Sequence, residues 1–181
     1  MTRYIAFLRA INVGGHTVKM DRLRELFESL EFTNVETFIA SGNVIFESNA
    51  KNSPTLAKQI EQKLCTSLGY EVATFIRTER ELAALVAYQP FKARDLETAV
   101  ALNVALLKEP LDASAQKKLM ALKTDIDDFH AHGREMYWLC RKKQSASTLS
   151  NAVFEKKVGC VATFRGISTL QKMAAKYGSS G

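Results

Sequence analysis

Only three cysteines occur in the 181 residues, Cys65, Cys140 and Cys160, an odd number set far apart. That spacing excludes a disulfide framework and the paired CxxC pattern of a zinc site, and reduced thiols suit a cytoplasmic protein. No apolar run approaches the ~20 residues of a membrane-spanning helix, so no membrane partner is expected. The chain starts Met1-Thr2-Arg3 ahead of a strand-like run, so no cleaved secretory signal is expected either. Low-complexity sequence is absent apart from the terminal Gly-Ser-Ser-Gly. Neither GxGxxG, nor a P-loop, nor the GxSxG nucleophile elbow occurs, and nothing points to a cofactor.

What is present belongs to an ordinary globular chain, 46% hydrophobic and 24% charged, long enough for one good core or two small ones. The net charge of +6 is unevenly placed. Residues 1–90 carry 10 Lys/Arg against 10 Asp/Glu, whereas residues 91–181 carry 15 against 9. Arg134, Arg141, Lys142, Lys143, Lys156, Lys157, Arg165, Lys172 and Lys176 face only Glu135 and Glu155 over 134–176. A concentrated positive field attracts phosphates, so Arg141, Lys142, Lys143, Lys156, Lys157 and Arg165 are candidate polyanion-binding residues. The alternative is a solvated surface of uneven charge.

Apolar periodicity gives strands at 3–8, 35–40, 43–48 and 71–77, with helices over 20–30 and 56–68. Ser53-Pro54 supplies a helix start and Gly69 a stop. The order is β-α-β-β-α-β, the split ferredoxin-like unit. It then recurs: after a capping box at Thr78 and Glu81, 91–98 reads as a polar connector. Strands follow at 100–107, 124–132, 135–141 and 160–163, with helices over 114–123, 147–158 and within 165–177. The expectation is an α+β protein of two ferredoxin-like halves, residues 1–90 and 91–181, each an antiparallel sheet with helices packed on one face. The repeat is one of pattern, with negligible residue identity.

That topology brings chemistry together. The first and third strands are central antiparallel neighbours, so the connector INVGGH meets the Ser41-Gly42-Asn43 turn, and the chain after Gly69 opens at the same edge. Gly14 and Gly15 allow close backbone approach to an anion. His16 and Lys19 add charge, Asn12 and Asn43 directed hydrogen bonds, and Arg9 leaves the first strand at this rim. Arg9, Asn12, Gly14, Gly15, His16, Lys19, Ser41, Gly42 and Asn43 are therefore the candidate ligand-binding residues. The alternative is that Asn12 and Asn43 only close turns.

Other groupings are weaker. His130 and His132 share one side of a strand but lack a third metal ligand, so a solvated hairpin is expected and no metal. Asp125, Asp127 and Asp128 lack the EF-hand pattern and read as an exposed strand edge. Cys65 reads as core. Phe7 and Phe46, with Tyr137 and Trp138, raise base stacking as in RNA-binding domains of this topology, but the RNP1 pattern is absent and core packing is expected.

The stretch FLRAINVGGHTVKMDRLRELFESLEFTNVETFIASGNVIFES resembles the signature region of the domain-of-unknown-function family 1697, uncharacterised bacterial proteins with paired ferredoxin-like halves. LRxINVGG, VKM before the first helix, and TNVxTxxxSGNVxF carry the resemblance. It implies that fold over almost the whole chain and draws attention to the two matched loops, without implying a reaction. Near the C-terminus, where relatives have a segment close to TTRNWNT, Thr163, Arg165 and Thr169 match, but the Asn-Trp pair is Gly166-Ile167. The leading expectation is a protein binding an anionic ligand, a nucleotide or nucleic acid. A small-molecule enzyme with a pocket at Asn12, His16 and Asn43 is the runner-up, and a structural, self-associating module the third.

Overall fold

In the computed structural model of the chain, residues 1–12, 15–39 and 42–178 are described. Its first half runs β1 (Thr2–Leu8), α1 (Met20–Glu28), β2 (Thr33–Thr37), β3 (Asn43–Ser48), α2 (Ser53–Leu68) and β4 (Thr74–Thr78). The strands form one antiparallel sheet in the order β2-β3-β1-β4. Alternation places Tyr4, Ala6, Leu8, Val44, Phe46 and Ile76 on the face that receives the helices. Leu23, Leu26 and Phe27 of α1 and Leu56, Ile60 and Leu64 of α2 complete that core. Each such side chain contributes about 1.5–3 kcal/mol when fully buried. The opposite face carries Ile5, Phe7, Ile45, Phe75 and Arg77, all buried too.

Local signals explain the helix ends. Asn52, one residue before the expected Ser53, caps α2 by accepting from Thr55 N at 3.0 Å, with Pro54 in the first turn. Gly69 closes α2 at φ 84°, a conformation that glycine adopts without strain. Thr78 and Glu81 form the expected reciprocal capping box, at 3.1 and 2.8 Å, ahead of α3 (Glu79–Ala87).

The second half repeats the design. After α4 (Ala93–Thr98) it runs β5 (Ala101–Leu107), α5 (Ala113–Met120), β6 (Asp127–His132), β7 (Glu135–Cys140), α6 (Asn151–Val158) and β8 (Ala162–Gly166). The sheet order is β6-β7-β5-β8. Ala105, Leu107, Leu119, Met136, Trp138 and Phe154 form its core. Residues 91–98, read as a connector, thus contain a short helix. The helix expected from 147 begins only at Asn151, because Ser150 is its cap. Ser147 instead points its hydroxyl at Asp127. Helix α7 (Ile167–Tyr177) ends the fold.

The chain divides into two compact units, Met1–Ala83 with Met173–Gly181, and Ala84–Lys172. Residues 84–90 and 173–178 therefore group differently from a cut at 90/91, and side chains within each unit show why. Tyr137 Oη donates to Leu85 O at 2.6 Å, and Tyr88 Oη shares a hydrogen bond with His130 Nε2 at 2.8 Å, inside the second unit. Inside the first, Tyr177 Oη donates to Glu36 Oε2 at 2.7 Å and its ring meets Phe38 edge-on at 5.7 Å.

Candidate functional site

The connector after β1 converges with two other segments of the first half, as the topology requires. Leu8 N donates to Gly42 O at 2.8 Å and Arg9 N to Ala73 O at 2.9 Å. Tyr70, just past the α2 cap, donates its hydroxyl to Ile11 O at 2.8 Å. Its ring stacks on His16 at 3.9 Å between centroids and 22° between planes. Burial pushes the Tyr70 phenol up, so it stays a neutral donor at this edge. Two residues without glycine's freedom hold left-handed backbone here, Ala10 at φ 54° and Ile39 at φ 45°. A β-branched residue there is an outlier costing of order 1–3 kcal/mol, which surrounding contacts must hold in place.

The candidate residues separate by role. Asn12 Oδ1 accepts from Val18 N at 2.8 Å and spans the connector. Asn43, 3% exposed, donates from Nδ2 to Phe38 O at 3.0 Å and Ile39 O at 3.3 Å. Both amides therefore shape backbone, and the second holds the strained Ile39 carbonyl. Gly15, at φ 84°, His16 and Lys19 are exposed, while Arg9 and Gly42 are half-buried. Lys19 occupies the cap position of α1 without a side-chain cap bond. Gly14 and Ser41 lie outside the described residues. Cations at one rim, on a backbone held by Tyr70, Asn12 and Asn43, can contact an anion.

The basic residues of the second half are not gathered into one track. Lys142 and Lys143 are exposed just after β7, whose Cys140 pairs with Ala101 at the start of β5. Lys156 and Lys157 are exposed in the last turn of α6, which leads to Ala162 opposite Leu107, at the end of β5. Six residues of strand put those edges about 20 Å apart. Arg141 is ion-paired to Asp95 at 3.5 Å and bonded to Thr98 Oγ1 at 3.1 Å. Arg165 turns inward: its Nη1 donates to Thr163 Oγ1 at 2.7 Å and Phe164 O at 2.8 Å. The residue is half-buried, and burial lowers its guanidinium to about 10, which leaves it charged at neutral pH.

Arg165 has a counterpart that sequence reading passed over. It lies opposite Val104 on β5 as Arg77 lies opposite Ile5 on β1. Arg77, 1% exposed, likewise donates from Nη1 to the preceding carbonyl, Ile76 O, at 2.9 Å. The matching fourth positions of TFIRT and ATFRG were the available signal. Tyr70 was equally legible, beside Gly69 at an edge already singled out.

Several weaker groupings resolve into packing. Asp127 is 1% exposed, not an exposed edge residue. It accepts from Trp138 Nε1 and Thr124 Oγ1, both at 2.8 Å, and from Ser147 Oγ at 2.9 Å. His130 and His132 both engage Tyr88, the first by hydrogen bond and the second by stacking at 3.8 Å. Among the described residues no group of three metal-ligating side chains is found, and no helix is long and apolar enough to cross a membrane. Cys65 is exposed, a correction to its reading as core, because Leu64 beside it takes the inward position on α2. Phe7 and Phe46 are fully buried on opposite faces of the first sheet, so they make no stacking platform.

Among solved structures, the chain is similar to the conserved bacterial protein SP0830 from Streptococcus pneumoniae, with a TM-score of 0.74 and 20% identity over 98% of each chain. At that identity the likeness shows the fold alone. No curated protein matches. The connector after β1, the turn before β3 and the Tyr70 edge all fall within residues 1–137, the span matched by a family model described as a protein of unknown function, and the chain belongs to that family, DUF1697.

Proposed function

We propose that this is a cytoplasmic protein that binds an anionic ligand, a nucleotide or nucleic acid, at the edge where β1 ends. The observation that carries the reading is the strained backbone at Ala10 and Ile39, in two segments that meet beside Gly42. Strain of this kind persists where surrounding contacts over-determine it, and it clusters at ligand sites. Arg9 and Lys19 supply the positive rim, with the His16 ring beside them, and Lys142 and Lys143 offer a separate contact for a longer polyanion. The side chains of Asn12 and Asn43, bonded to backbone, favour binding over catalysis at this edge.

Thermal shift with ADP, inorganic pyrophosphate and a short single-stranded oligonucleotide tests it, because a ligand of the native state raises its apparent stability. The expected result is a shift that shrinks steeply with added salt. It should also be reduced in a variant combining Arg9→Ala and Lys19→Ala. Absence of a shift with all three probes would sink the reading.

A further inference from the structure

The connector edge of the first half presents one aromatic surface to solvent. The His16 ring lies on Tyr70 at 3.9 Å between centroids and 22° between planes, so one of its faces is covered. His16 is exposed all the same, and that exposure belongs to its outer face and rim. The ring beneath is fixed: Tyr70 is half-buried, its hydroxyl donates to Ile11 O at 2.8 Å, and it follows directly on Gly69, the α2 cap. A planar group that settles on His16 therefore extends a stack already in place, with little further ordering of the protein. Among the described residues, the other aromatic side chains near this edge offer no such face. Phe7 and Phe75 are buried in the sheet, and Phe38 is half-buried against Tyr177 and Lys176. A strand of nucleic acid needs successive rings or a run of cations. This edge has a single exposed ring, and residues 1–90 balance 10 Lys/Arg against 10 Asp/Glu.

We propose that the ligand of this edge is a single nucleotide whose base stacks on the outer face of His16. The inference rests on the anion-binding reading above and adds to it the aromatic part of the ligand and its length.

AMP and ribose 5-phosphate carry the same phosphate and differ by the base, so their comparison isolates the stack. NMR of the histidine ring C–H groups follows it directly, because the chain has three histidines, His16, His130 and His132, and a stacked base shifts the signals of the ring it covers. His132, which stacks on Tyr88 in the second half, is the internal control. AMP should move the His16 signals saturably and leave those of His130 and His132 in place. Ribose 5-phosphate should bind about tenfold more weakly, the worth of one stacked base. His16→Ala should lower AMP affinity to that of ribose 5-phosphate without changing the latter, and His16→Phe should restore it. Equal affinity for AMP and ribose 5-phosphate in the unaltered chain would overturn this inference and leave the anion-binding reading standing. Tighter binding of a short oligoadenylate than of AMP would do the same, as would AMP-induced shifts confined to His130 or His132. Binding of neither AMP, ribose 5-phosphate nor pyrophosphate would sink both.

Discussion

To reach the next helix from the end of its first strand, the first half takes residues 9–19 and the second only residues 108–112. The long connector is pinned down. Tyr70 holds Ile11 and stacks on His16, and Asn12 spans to Val18. At the matching edge of the second half, the short connector and the α6–β8 connection line a cavity beside Cys160. One topology thus presents a structured cationic loop in one half and a concave, partly apolar pocket in the other.

The opposite end of each sheet differs as well. Tyr4 pairs with Phe46 and Thr78; at the same register Asn103 pairs with Trp138 and Gly166. Tyr4 stacks on Phe46 at 5.7 Å and donates its hydroxyl to Ala50 O at 2.5 Å. Asn103, 8% exposed, has no partner for Nδ2 among the described residues, and a Cβ added at Gly166 would come no nearer than 3.8 Å to its Oδ1. A ring and a hydroxyl in the first half correspond to a shorter amide and an absent side chain in the second.

The most severe way to break the comparison is Asp127→Ala. It strands the donors of Trp138, Thr124 and Ser147, and several such losses together cost about 3–5 kcal/mol. Urea unfolding followed by the fluorescence of Trp138, the one tryptophan in the chain, should show the second half unfolding at markedly lower denaturant. An unchanged midpoint would mean that this buried network is not what holds 124–150 in place.

The next test has opposite signs in the two halves. Asn103→Leu removes a buried, unpaired donor and should raise stability by about 1 kcal/mol, whereas Tyr4→Phe breaks a made bond and should lower it by a similar amount. Destabilisation by both variants would show that Asn103 is satisfied in solution. Tyr70→Phe should cost about 1 kcal/mol through loss of the Ile11 bond. It should also loosen amide-exchange protection across the connector.

Tyr137 gives an effect of similar size at neutral pH, and one that depends on pH. Burial, with Glu135 and Tyr88 nearby, raises its phenol above the ordinary 10.0. Its contribution is therefore complete below about pH 10 and is lost as pH rises through the folded value. Tyr137→Phe should cost about 1 kcal/mol at neutral pH and make the alkaline decline of stability shallower; an unchanged alkaline profile would assign that decline to other groups.

Much of the architecture was legible because it rests on local signals. Alternating apolar residues in 3–8 and 43–48, glycine at position 69 and the Thr78–Glu81 box each act within a few residues. The ferredoxin-like order then dictated that β1 end beside Gly42, and it does. Misread positions depended on distant partners: Asp127 looked exposed until Trp138 and Ser147 closed over it.

By itself the sequence determined the two β-α-β-β-α-β repeats, the family and the edge at which glycines and cations gather, since periodicity, capping and motif spacing are properties of neighbouring residues. Tertiary structure alone decided which polar groups face outward there. Asn12 and Asn43 are drawn onto backbone and His16 is laid on Tyr70, because pairing of β1 with β3 and β4 sets which atoms come within hydrogen-bonding reach. It also decided that the basic half carries separated lysines and an open cavity, because helix length and connector length place those residues in space, and neither can be read from charge along the chain.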